Sequence, residues 1–248
     1  MEAVPWQLTA SPPEHGPGAM TDVPSASSDP VRPGAKVVGE PRWPMAGAVV
    51  AAIILTVMLP ADLRVGPSWL LPSVEGLLLV LLIAGDPGTI NRRSGVLRVI
   101  SIALVAVLVI DALAATIRLV DDLIHGGNVT NSAEDLLQAG SVVWVSNNIA
   151  FALLFWELDG GGAAARAHHI SPHPDLAFPQ QLNPAIGPAG WRPRFIDYLY
   201  LGFTNATAFS PTDVMPLVPW AKIAMAVQSV ISLAVLGLVI ARAVNVFT

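Results

Sequence analysis

The chain contains no cysteine, which excludes disulfides, thiolate nucleophiles, iron–sulfur clusters and cysteine zinc sites. It is equally poor in charge. Only 12% of its 248 residues are Asp, Glu, Lys or Arg, about half the share that a soluble domain carries. The net charge of −5 gives no reason to expect a nucleic-acid partner. No P-loop, Rossmann glycine fingerprint, nucleophile elbow or HExxH occurs, and no carboxylate pair is spaced for catalysis, so an enzyme is not expected. His168, His169 and His173 fall in a Pro-flanked loop that offers no converging geometry. Neither a metal site nor a cofactor is expected from them.

What the chain has is apolar length. Hydrophobic residues make up 53% of it, and the mean hydropathy is +0.60. Such a surface suits lipid as solvent better than water. A helix needs about 20 apolar residues to cross the hydrocarbon core. Five segments approach or meet that length: 44–59, 69–85, 96–119, 136–156 and 221–244. The first two are joined by the short turn 60–66, which predicts a helical hairpin. Pro72 falls in the first turn of the second, where a missing N–H costs little. Residues 1–42 are rich in Pro, Ser, Gly and Glu. They lack the basic start and short apolar run of a signal peptide and read as a disordered tail.

Several polar residues fall inside the apolar segments. Asp111 lies in the middle of the third, where an ionisable group is costly and usually faces a partner or a cavity. Arg118, seven residues on, shares roughly its helix face. Asn147 and Asn148 lie within the fourth segment and read as interhelix hydrogen-bond donors. Glu75, near the start of the second, reads as a side chain that snorkels to the interface. Gln228, Ser229 and Ser232 share a face of the last segment. They would either wet a cavity or pack against another helix.

One stretch differs in kind. Residues 195–208 form an apolar helical pattern too short to span, and 209–216 carry Pro211 and Pro216 in a loop-like run. Irregular backbone at membrane depth is tolerated only where protein or a water-filled cavity surrounds it. In sequence this stretch resembles the two-helix pore module of potassium channels, whose filter reads T-V-G-Y-G followed by Asp. Laid on without gaps, Ala208 matches the Thr, Phe209 the Val, Ser210 the first Gly, Pro211 the Tyr, Thr212 the second Gly and Asp213 the Asp. Phe203 and Thr207 match an aromatic and a threonine common in the pore helix. The resemblance implies a half helix entering the bilayer, a homo-oligomer (a tetramer by analogy) and an ion path. It does not imply potassium selectivity. Ser210 and Thr212 replace the glycines that a carbonyl ladder requires, and Pro211 fixes φ near −65°. Hydroxyls of Thr207, Ser210 and Thr212 and a ring of Asp213 carboxylates would suit a wider path with weak cation preference. Two strings, Phe155-Trp-Glu-Leu-Asp-Gly-Gly161 and 203–213, also resemble a family of actinobacterial membrane proteins, and that likeness implies no activity.

The expected fold is therefore all-α, a polytopic membrane helix bundle with about five transmembrane helices and one re-entrant half helix, lying in the cell membrane. The expected organisation is a tail at 1–42, three transmembrane helices in 43–125 and a pore-like module in 136–248. The expected function is a channel-like cation pathway. A non-conducting membrane scaffold or regulatory subunit is the alternative, and a proton-coupled transporter using Asp111 a third. Orientation carries opposed expectations. The excess of Arg on the N-terminal side places that side in the cytoplasm. A potassium-channel pore loop would instead enter from outside.

Overall fold

The computed structural model describes residues 39–247 except 91, 93, 128–131, 169–172 and 208–212. The 1–38 part of the expected tail lies outside them. Residues 39–42 do not behave as tail: Glu40–Pro41 form strand β1, and the Arg42 side chain is buried against Asp86 at 3.1 Å.

The chain is mostly helical. Helix α1 spans Trp43–Met58, α2 Leu70–Gly85, α3 Gly95–His125, α4 Ala133–Leu158, and α8 Pro219–Phe247. Between α4 and α8 lie the short helices α5 (Ala163–Ala167) and α6 (Pro179–Leu182), and then α7 (Phe195–Thr207). Strand β2 (Thr89–Ile90) pairs with β1, and β3 (Leu176–Ala177) pairs with β4 (Met215–Pro216), each antiparallel.

Local sequence sets these boundaries. Pro44 opens α1 with the φ a first turn needs, and the chain turns extended at Leu59 before Pro60. Ser132 caps α4 by accepting from the Asp135 amide at 3.1 Å, while Glu134 and Asp135 complement the dipole of the first turn. At its far end Gly160, Gly161 and Gly162 all take positive φ and turn the chain away. Gly162 is required for a second reason: a Cβ there would collide with the Arg98 guanidinium.

Helices α3, α4 and α8 are long and apolar enough to cross a membrane. At 16 residues each, α1 and α2 are about 24 Å long, somewhat short of the hydrocarbon core. The long helices run past the segments expected from hydropathy because their ends are polar: α3 continues through Asp121, Asp122 and His125. Helix α4 is the most buried and packs against α1, α3, α7 and α8. Residues of 43–125 and of 136–248 contribute together to each of two buried apolar clusters. In contrast, α3 and α8 expose apolar stripes outward, including Ile110, Ile117, Val230 and Leu233.

Pairings between element ends divide the bundle into two poles. At one pole the start of α1 meets the end of α2 through Arg42 and Asp86, and the start of α3 meets the end of α4 through Arg98 and Glu157 at 2.5 Å. This is the arginine-rich pole. At the opposite, more acidic pole, Arg118 donates to the Arg64 carbonyl at 2.5 Å, tying α3 to the α1–α2 turn.

Candidate functional site

The residues singled out in the sequence around 195–216 are built around α7. Its first turn is tied to the arginine-rich pole. Arg194 N donates to Asp197 Oδ2 at 2.7 Å and closes that turn. The Phe195 amide donates to Glu40 Oε1, and Trp156 Nε1 donates to the same carboxylate at 3.0 and 3.2 Å. Arg166 stands 3.8 Å from Glu40. Burial pushes the Glu40 carboxyl above the usual carboxylate range, against the opposing effects of Trp156, Arg166 and the Phe195 amide.

Tyr198, fully buried, donates to Asp159 Oδ2 at 2.5 Å, and burial holds its phenol well above the ordinary value. The other Asp159 oxygen accepts from the amides of Asp175 and Leu176 at 2.8 and 3.0 Å. Arg166 donates to the Trp156 carbonyl in the last turn of α4 at 2.7 Å and to the Asp159 carbonyl just past its end at 2.6 Å, and its guanidinium lies 5.0 Å from the Tyr198 ring. One carboxylate thus fixes the end of α4, the β3 strand and α7 together.

Along its length α7 runs between α4 and α8. Gly202 permits the approach to α4: a Cβ there would stand 3.2 Å from the Asn148 carbonyl and 3.4 Å from Ala152 Cβ. Phe203 meets Trp144 edge-on, with ring centroids 6.0 Å apart. On the α8 side a polar seam forms. Asn205 Nδ2 donates to the Met225 carbonyl at 2.9 Å and to Gln228 Oε1 at 2.8 Å. Gln228 Nε2 donates to the Gly202 carbonyl at 2.9 Å. Ser229 donates to the Asn205 carbonyl at 3.1 Å, and Ser232 to that of Ala206 at 2.6 Å, while Trp144 Nε1 donates to Ser232 at 2.6 Å. Gln228, Ser229 and Ser232 are therefore packing contacts between helices.

The remaining expected residues are spread out. Thr207 is exposed at the last turn of α7, and its hydroxyl donates back to the Phe203 carbonyl at 2.9 Å. Ala208, Phe209, Ser210, Pro211 and Thr212 lie outside the described residues. Asp213 is exposed two residues before β4, so it lies toward the pole where α7 begins. Asn147 bridges helices as expected, donating to Thr116 of α3 at 2.6 Å; Asn148 instead donates within its own helix, to the Trp144 carbonyl at 3.3 Å. Asn147, Asn148 and Gln228 border a cavity of about 10 Å³ together with Trp144, Ala206 and Ser232, room for about one water.

A shared helix face does not bring Arg118 and Asp111 together, and one expectation, for Glu75, fails. Arg118 does not serve Asp111: it is exposed and donates to the Asp62 and Arg64 carbonyls, where it caps the α1–α2 turn. Asp111 instead accepts from Thr56 of α1 at 2.9 Å, away from α7. Glu75 does not snorkel. It is fully buried, because it faces α3 rather than the end of its own helix. The residues missed from sequence are Glu40, Arg166 and Tyr198. The string Phe155–Gly161 marked the place without revealing the partners that Trp156, Glu157 and Asp159 hold. Compared with protein-family models, curated proteins and solved structures, the chain matches none.

Proposed function

We propose that the chain is a multi-pass membrane protein with five spans, α1, α2, α3, α4 and α8, in which α7 enters the bilayer part of the way and the chain turns back. In this reading the polypeptide assembles as a homo-oligomer, four copies by analogy with potassium channels. The far end of α7 faces the shared axis, where a cation pathway of weak selectivity runs, with Asp213 toward its mouth.

The observation that carries this reading is the β3–β4 pair. Leu176 faces Pro216 and Ala177 faces Met215, so the segments before and after α7 meet at one pole. From there α7 advances 13 residues, about 20 Å, too short to cross. Its last turn lies beside Ser232, which is likewise about 20 Å along α8 from Pro219. The seven residues 208–214 reach at most about 25 Å, enough to return to β4. The C-terminal dipole end of α7 then points inward and favours cations, and Asp213 stands at the mouth. With Ser210, Pro211 and Thr212 in place of the glycine-rich filter, potassium selectivity of the usual kind is not part of the proposal.

The test is flux in liposomes. Purified protein passes monovalent cations in preference to anions, and Asp213→Asn reduces that preference by removing the charge at the mouth. Absence of flux for every cation from a well-folded oligomer refutes conduction. A second reading then stands, a non-conducting scaffold. It is favoured by the Asn205–Gln228–Ser229–Ser232 seam, beside which lies a cavity of about 10 Å³ bordered by α4, α7 and α8.

A further inference from the structure

Away from α7, the three N-terminal helices enclose a carboxyl group that nothing compensates. Glu75 of α2 is fully buried, and neither of its carboxyl oxygens has a hydrogen-bond partner among the described residues. Leaving a buried carboxylate unpaired costs several kcal/mol, in lipid as in a protein core, by order of magnitude. A charge there needs a counter-charge or a proton.

Among the described residues no counter-charge is at hand. Helix α2 packs against α3 and α1. Helix α1 carries no charged residue, and it presents Thr56. From α3 the group that acts on Glu75 is Asp111, itself buried and of the same sign. The arginines of α3 are engaged elsewhere: Arg98 pairs with Glu157 and Arg118 donates to the Asp62 and Arg64 carbonyls. A like charge nearby disfavours ionising the second carboxylate, so the doubly charged state is costly without a cation.

Geometry also says where a proton resides. Thr56 Oγ1 donates to Asp111 Oδ2, which commits that oxygen as an acceptor. Glu75 receives no donor at all, so it is the member that needs an O–H of its own. A proton needs a single acceptor oxygen, whereas a sodium ion needs a shell of several.

We infer that Glu75 and Asp111, with Thr56 as the fixed donor, form an intramembrane proton-binding pair that takes up and releases one proton between α2 and α3. Uptake makes the Glu75 carboxyl neutral. Release leaves two uncompensated negative charges facing each other across the α2–α3 contact, so proton occupancy is coupled to how closely those helices pack. This site is independent of α7 and of conduction.

Infrared difference spectroscopy on the full-length protein in liposomes tests it. Beside the carbonyl band of Glu40, the wild type should show a second protonated-carboxyl carbonyl band, the Glu75 band, that is lost reversibly as pH rises. Glu75→Gln keeps the shape and neutrality of the acid and should lose the band while retaining the helical circular-dichroism spectrum. Thr56→Val, which leaves Glu75 in place, should change the pH at which the band disappears, and so should Asp111→Asn. The inference is overturned if the band survives in Glu75→Gln, or if it never titrates in the wild type. It is also overturned if sodium at constant pH and ionic strength removes the band, which would make this a cation site.

Discussion

The seam between α7 and α8 permits a quantitative test of what holds α7 in place. Asn205→Ala removes two donated bonds, to the Met225 carbonyl and to Gln228 Oε1, and one accepted from Ser229 at 3.3 Å. Gln228→Ala removes the shared bond and the one to the Gly202 carbonyl. Interhelical hydrogen bonds in membrane proteins average about 0.6 kcal/mol and reach about 1.7 kcal/mol. Each single substitution should therefore cost about 1–3 kcal/mol, including lost packing. Because the two residues share one bond at 2.8 Å, the double substitution should cost less than the sum by about 0.6–1.7 kcal/mol. The assay is reversible unfolding in mixed micelles by titration with a denaturing detergent, followed by circular dichroism. Ser101 supplies a control, since it serves Glu157 at 2.6 Å at the arginine-rich pole. Asn205→Ala with Ser101→Ala should be additive. Additivity within about 0.5 kcal/mol for Asn205 with Gln228 as well would show that the seam does not anchor α7.

Three further outcomes follow from other parts of the bundle. Gly202→Val should lower stability in the same assay by about 1–3 kcal/mol, because its branched side chain has no room against the Asn148 carbonyl and Ala152, while Gly202→Ala should be milder. Arg98→Met should cost up to about 3 kcal/mol by stranding the buried Glu157 carboxylate, less what water recovers at an arginine one-third exposed; adding Glu157→Gln should restore much of the loss. Glu40 keeps its proton to higher pH in the folded chain than in the unfolded one, so its contribution is fully present below the ordinary carboxylate range and is lost as pH rises through the raised value. Stability measured against pH should fall over that window in the wild type, and Glu40→Gln should flatten the fall.

Hydropathy located every long helix, because outward-facing and core-facing positions in these helices are alike apolar. It missed the helix ends, where Gly95, Asp122 and Ser132 lower the average although the backbone bonds continue or a cap forms. Helix α7 was legible through its length and the prolines after it. Its anchoring was not, since Glu40 and Trp156 are 116 residues apart and local patterns carry no such pairing. Asp111 was legible as an isolated charge in an apolar run. Its neighbour Glu75 lies near the start of α2, where sequence suggests an interface, and only the packing of α2 on α3 buries it. The polar face of α8 was visible, but its partner could be identified only once Asn205 was placed beside it.

The decisive measurement uses the absence of native cysteine. Single cysteines placed at Ala189, Asp213 and Asp121, all exposed, are labelled in sealed vesicles with a membrane-impermeant maleimide. If α7 dips and returns, positions 189 and 213 react from the same face of the membrane and position 121 from the other. Reaction of 189 and 213 from opposite faces would mean that α7 crosses completely, and the half-helix pathway would not exist.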